Sequence, residues 1–230
     1  MTTSGTYAFN PSLGELVLYA YNLAGLRNTS LLQEHMQTAR VATNMMLSRW
    51  SNQGVNLWQV DLVTVPLVQG QSVYSVDAST VMILDGYMAT VSGSTETDRI
   101  VLPISRTEYA SYPNKQQQGF TTVFWFDRLL SPSVTLWPVP DGTSAQYFKY
   151  YRVRQLQDAN YAGGQTVDIP YLWLEAFSDG LAYRLARIWN PTMAIALKAQ
   201  ADESYQIAAA QNVEQANQYI SPQIAGYYRP

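Results

Sequence analysis

His35 is the single histidine of the 230-residue chain, so every reaction that needs an imidazole rests on it. In Glu34-His35-Met36 it falls on a predicted helix, where it would act as a general base or a metal ligand. Neither role finds partners. No H-E-x-x-H surrounds it, and no second histidine completes a nitrogen ligand set. The residue therefore reads as a surface or interface histidine. The chain has no cysteine, which removes disulfides, thiolate zinc sites, iron–sulfur ligation and thiol nucleophiles. Glycoside hydrolysis needs two carboxylates across one bond. Glu108, Asp98 and Asp141 are available, but they are scattered over predicted loops. No phosphate-binding glycine motif occurs, and Gly163-Gly164 reads as a loop pair. No catalytic residue, metal or cofactor is expected.

Three other stretches have residue types suited to binding. Tyr147-Phe148-Lys149-Tyr150-Tyr151-Arg152-Val153-Arg154 interleaves aromatics with bases, a pattern that can stack on and neutralise nucleic acid. The same alternation describes a strand with one face in a core and one in water. Residues 57–167 hold seven basic and nine acidic side chains, which favours the strand. Asp127-Arg128, after Phe124-Trp125-Phe126, reads as a turn pair ending a strand. The tail residues Ile224, Tyr227, Tyr228, Arg229 and Pro230 combine aromatics with Arg, the types that anchor interfaces. An extended tail can also add a strand to a partner's sheet.

Composition points the same way. Charged residues make up 13% of the chain, about half the ~25% of an ordinary soluble domain. Few ionised groups are left to solvate the surface, so other subunits are expected to cover part of it. The net charge is −3, too acidic to grip nucleic acid by bulk charge. No apolar run approaches the ~20 residues of a membrane span.

The elements that must position these residues fall into three blocks and a tail. In residues 1–56, Ser12 and Glu15 form a capping box that starts a helix through Leu16, Leu18, Tyr19 and Leu23. Ser30 with Gln33 reads as a second box. The helix behind it spaces Leu32, Met36, Ala39, Thr43, Met46 and Trp50 along one face and stops at Asn52-Gln53-Gly54. In 57–167 the period changes to two. Trp58–Leu62, Ser72–Val76, Val81–Leu84, Tyr87–Val91, Ile100–Ile104, Thr121–Asp127, Val134–Trp137 and Gln146–Arg154 read as strands, with a short helix at Ser105–Tyr112. In 168–220 the pattern is helical again. Asp168 and Pro170 suit a helix start, and Leu174, Phe177, Leu181, Leu185 and Ile188 form its buried stripe. Asn190-Pro191 restarts the chain into an Ala- and Gln-rich helix running to about Tyr219. Its thin apolar face, with Ala194, Leu197, Ala201 and Ala208, suits packing against a neighbouring subunit. Residues 221–230 are an extended arm. The fold class is α+β: a helical bundle from the N- and C-terminal helices, with an inserted antiparallel β domain and a C-terminal arm.

One ordered set of motifs is familiar. Asp127-Arg128-Leu129 leads to Val134-Thr135-Leu136-Trp137-Pro138-Val139-Pro140-Asp141. Tyr150-Tyr151-Arg152-Val153-Arg154 follows with Asp158, then Ile169-Pro170 and Gly180-Leu181-Ala182-Tyr183-Arg184-Leu185-Ala186. The Trp50 … Gly54 … Leu57-Trp58 transition precedes them all. In this order the motifs resemble the head-to-tail adaptor proteins of tailed bacteriophages. The resemblance implies a ring of roughly twelve copies under the portal protein. It implies a C-terminal arm that reaches the portal, double-stranded DNA passing through without sequence-specific binding, and a tail or tail-plug protein below. The chain would then sit in the neck of the virion after assembly in the host cytoplasm. Three alternatives stay open: another neck or tail-tube component, a virion-associated cell-wall hydrolase, and a sugar-binding β domain.

Overall fold

The computed structural model describes residues 3–54, 57–160 and 164–213. The expected arm at 221–230, Gly163 and the stretch 214–220 lie outside these residues. Among the described residues the chain is mixed α+β, with five α-helices and a curled seven-stranded sheet.

Helix α1 (Leu13–Leu23) starts at the expected capping box. The Glu15 carboxylate accepts from the Ser12 backbone N–H at 2.7 Å, and Glu15 N–H donates to the Ser12 hydroxyl at 3.3 Å. Gly25, at φ +82°, turns the chain out of the helix. The second box does not form. Ser30 belongs to a 3₁₀ turn, Asn28–Ser30, and its hydroxyl donates to the Arg27 carbonyl at 2.7 Å. Helix α2 (Gln33–Asn52) is capped from inside its first turn, where Leu32 N–H donates to His35 Nδ1 at 3.1 Å. This rotates the start of the expected stripe. His35, Ala39, Thr43, Met46, Leu47 and Trp50 are buried, while Leu32 is exposed.

The strands are β1 (Val60–Pro66), β2 (Val73–Ser75), β3 (Thr80–Ser92), β4 (Thr95–Pro103), β5 (Val123–Asp127), β6 (Ser133–Trp137) and β7 (Ala145–Arg154). The two apolar runs read as separate strands around Asp85-Gly86 are one, β3, which carries register shifts against β7. Helix α3 (Arg106–Ser111) fills the short helical stretch, capped by Ser105. The sheet order is β1-β7-β3-β4-β5-β6-β2. It departs from the expected antiparallel sheet at one pair, β4 with β5, which run parallel because α3 and its loops carry the chain back across.

Pro170 precedes a 3₁₀ turn, Tyr171–Trp173, that leads into α4 (Leu174–Trp189). Asp168 does not cap this helix; it pairs with Arg154. Phe177, Leu181 and Leu185 are buried as expected, but Ile188 is 57% exposed. Helix α5 (Ala194–Ala210) ends at Ala210, short of the expected Tyr219.

Two apolar cores result. One joins Val17 and Tyr21 of α1, Met46 and Trp50 of α2, Phe177 and Leu181 of α4, and Leu197 and Ala208 of α5. The other lines the sheet with Met88, Phe124, Leu136, Phe148 and Tyr150. Trp58, Leu156 and Val167, at the ends of the β segment, pack on the helical core. Asn44 clamps the Ala159 backbone there, accepting from its N–H at 2.9 Å and donating to its carbonyl at 3.1 Å.

Candidate functional site

The family motifs of the sheet hold framework. Arg152 on β7 lies between β1 and β3. Its Nε and Nη2 donate to the two Asp61 carboxylate oxygens at 2.7 and 3.2 Å. Nη1 donates to the Thr80 hydroxyl at 3.0 Å, and Asp77 stands 3.5 Å away. One guanidinium thus staples three strands, because its fixed fork of donors can serve several acceptors at once. The Asp61 hydrogen bonds hold Arg152 above its ordinary range despite burial. Tyr151, next in sequence, points the other way. It is 42% exposed, opposite Leu62 and 6.5 Å from the Tyr87 ring.

The Trp137-Pro138-Val139-Pro140 run continues the chain past the end of β6. The Trp137–Pro138 peptide is cis. The Trp137 indole stacks on Tyr112 at 4.1 Å and donates to the Asn114 carbonyl at 3.0 Å. The Pro138 carbonyl accepts from the Thr121 hydroxyl at 2.7 Å, and the Pro140 carbonyl from Gly70 N–H at 3.0 Å. Pro is tolerated here because these positions accept and need not donate. Asp127 closes β5 opposite Ser133, and Arg128 is exposed beyond it. The hairpin tip that follows presents Leu129 and Leu130 to solvent at 63% and 99%.

Arg154 ties the sheet to the third block. It donates to both Asp168 carboxylate oxygens, at 2.5 and 3.0 Å. Burial raises the Asp168 carboxyl, but Arg154 and the Gln157 N–H outweigh it and leave it below its ordinary value. Asp158, the acid in the resembling motif, is exposed instead.

His35 is a core residue, which corrects the surface reading. It is 6% exposed, with its ring stacked on Trp189 at 4.1 Å and edge-on to Tyr21. Its carbonyl accepts from the Tyr21 hydroxyl. The candidate carboxylates stay on separate elements. Glu108 sits in the first turn of α3, Asp98 in β4, and Asp141 in the turn before β7, where it accepts from Thr143. The described residues hold no cluster of three metal-ligating side chains.

On α5, Leu197, Ala201 and Ala208 are buried within their own chain, and Ala194 lies at the edge of that core. The large apolar residues exposed on α5 are Ile195 and Ile207. A surface not read from the sequence lies between α2 and α4. Val41, Met45 and Ile188 are exposed there beside Arg184 and Arg187. Its signal was available: Val41 and Met45 lie one turn apart, outside the main stripe of α2.

Residues 22–226 match the SU10 adaptor protein family, and the chain belongs to that family of phage head–tail adaptors. No curated protein matches the chain. Among the described residues no helix is long and apolar enough to cross a membrane.

Proposed function

We propose that the chain is the structural ring of the virion neck, in roughly twelve copies under the portal protein. The ring continues the DNA channel and offers the tail or tail plug its platform. The observation that carries this reading is the family match, which covers the sheet core and the α2, α4 and α5 part of the helical core and ends at Gly226. The parts are assigned as the helical hairpin 1–56, the β-rich insertion 57–167, the helices 168–220 and the arm 221–230. The arm residues Ile224, Tyr227, Tyr228, Arg229 and Pro230 dock on the portal. Ordering an arm costs conformational entropy, so the contact must return more than it loses. A net charge of −3 lets duplex DNA pass without being held by counterion release.

Light scattering on the purified chain, alone and with its portal protein, tests the reading. The expected result is a monomer alone and a large stoichiometric complex with the portal. A chain that ignores the portal defeats it and moves the assignment toward the tail. Deleting residues 221–230 is expected to abolish portal binding while thermal unfolding is unchanged. Undiminished binding by the truncated chain would sink the role given to the arm.

A further inference from the structure

Two exposed surfaces of this chain are chemically complementary. The first is the groove of about 590 Å³ between α2 and α4. Its apolar walls are Val41, Met45 and Ile188, exposed at 60%, 62% and 57%. Arg184 and Arg187 line the same groove, with Arg40 and Arg49 on neighbouring turns of α2. None of these four arginines has a carboxylate within 4.0 Å among the described residues. Arg187 lies only over the Tyr183 ring, at 5.8 Å. Burial, then repulsion from Arg49 and Arg187, hold the Arg184 guanidinium below its ordinary range. Unpaired guanidinium groups beside an apolar strip, on an acidic protein, call for an occupant with both a carboxylate and an apolar side chain. Duplex phosphate would satisfy the arginines but leave Val41, Met45 and Ile188 in water, so a protein occupant fits better.

The second surface is the outer flank of α5. Leu197, Ala201, Ser204 and Ala208 face inward, and Lys198 and Asp202 line a crevice with Arg49 and Arg184. The flank turned away from that crevice carries Ala196, Ala199, Glu203, Ile207 and Ala210, all exposed. Glu203 has no ion pair among the described residues. Glu203 and Ile207 are one helical turn apart, about 6 Å along the axis. Arg184 and Ile188 on α4 repeat the same step, charge then aliphatic, with the opposite sign.

We propose that the α2–α4 groove of one copy seats the outer flank of α5 from the next copy, Glu203 meeting Arg184 and Arg187, and Ile207 entering between Met45 and Ile188. No residue of α5 lines the groove, so a copy's own α5 leaves it open. The contact is heterologous and passes from copy to copy until it closes. This contact rests on the ring reading and names its lateral interface.

A charge swap tests it, using the full-length chain and its portal protein. Arg187 and Glu203 are both exposed, so Arg187→Glu and Glu203→Arg leave thermal unfolding unchanged. Each single variant is expected to raise the concentration needed for half-assembly by about tenfold or more, as for close interfacial charge pairs. The double variant Arg187→Glu/Glu203→Arg is expected to recover most of that loss. A wild-type ring with single variants that assemble equally well overturns the contact alone, as does a double variant that fails to recover. Single variants that assemble normally but lose retention on duplex DNA assign the groove to DNA and overturn it too. A wild-type chain that stays monomeric with the portal overturns both the ring and this contact.

Discussion

Gly86 lies in β3 where a Cβ would come within 2.9 Å of Phe148 Cε2 and 3.1 Å of Phe124 Cε1. Both rings are buried in the sheet core, at 0% and 1% exposure, and 5.4 Å apart. Neither can move without opening its neighbours, because protein interiors are close-packed. Gly86→Ala is therefore expected to destabilise the chain by about 1–3 kcal/mol, the usual range for overpacking. A lower urea midpoint at unchanged slope would show it, and an unchanged midpoint would contradict the packing argument. Local contacts likewise hold His35 inside. A polar ring on a helix face reads as wet, but this one has a backbone donor for Nδ1, an indole to stack on, and a hydroxyl bonded to its carbonyl. Burial of a polar group is tolerated once its hydrogen bonds are made.

At the scale of elements, two carboxylates act in opposite directions. Asp179 of α4 is 6% exposed and faces Ser204 of α5. Burial pushes its carboxyl above the ordinary 3.8, and the Ser204 hydroxyl offsets only part of that. A raised folded value means the folded state holds its proton more tightly. This contribution to stability is therefore fullest below pH 3.8 and is lost as pH rises through the folded value. Asp179→Asn keeps a neutral hydrogen-bonding group there. It is expected to raise Tm at pH 7 and to flatten that slope; a lower Tm would mean the charged form is the stabilising one. Asp168, held down by Arg154, has the reverse sign. Its contribution is present above its ordinary 3.8 and disappears as pH falls through the depressed folded value. Asp168→Asn is expected to lose stability at pH 7 and to unfold with a weaker acid dependence than wild type, as read from Tm against pH. An unchanged Tm at pH 7 would show that the Arg154 pair does not hold the sheet to α4.

At the scale of the whole molecule, the helical and sheet cores are separate clusters, joined by the packing of Trp58, Leu156 and Val167 on the helices and by a few polar ties. Arg154 with Asp168 is one, the Asn44 clamp on Ala159 a second, and the Gln59 amide donating to the Ser51 hydroxyl at 3.3 Å a third. Each joins β7, β1 or their flanking loops to the helices. Exposed apolar groups lie on α2, α4, α5 and the β5–β6 hairpin tip, and others on the N-terminal segment, β1, β4 and the turn before α4. Exposed apolar residues grouped beside unpaired charge are what an assembly protein keeps for its neighbours. Portal binding and lateral assembly each need more than one chain.

The capping box at Ser12 and Glu15, the period-two strands and the Asn190-Pro191 break were legible in the sequence. All are decided by hydrogen bonds and spacings within a few residues. The family was legible for the same reason, because its motifs are short and ordered along the chain. Other features depended on groups distant in sequence. Ser30 and Gln33 spell a capping box, yet His35 caps α2, because Tyr21 and Trp189 draw its ring inside. Ile188 fits the α4 stripe by spacing, yet it faces outward, because α1, α2 and α5 already cover the other sides. Asp158 stands nearer to Arg154 in sequence than Asp168, yet Asp168 takes the guanidinium where the chain folds back. β4 and β5 run parallel because α3 reverses the path between them. Local sequence sets which conformations a segment favours, while the groups that surround it in the folded chain decide which face is buried and which partner is met.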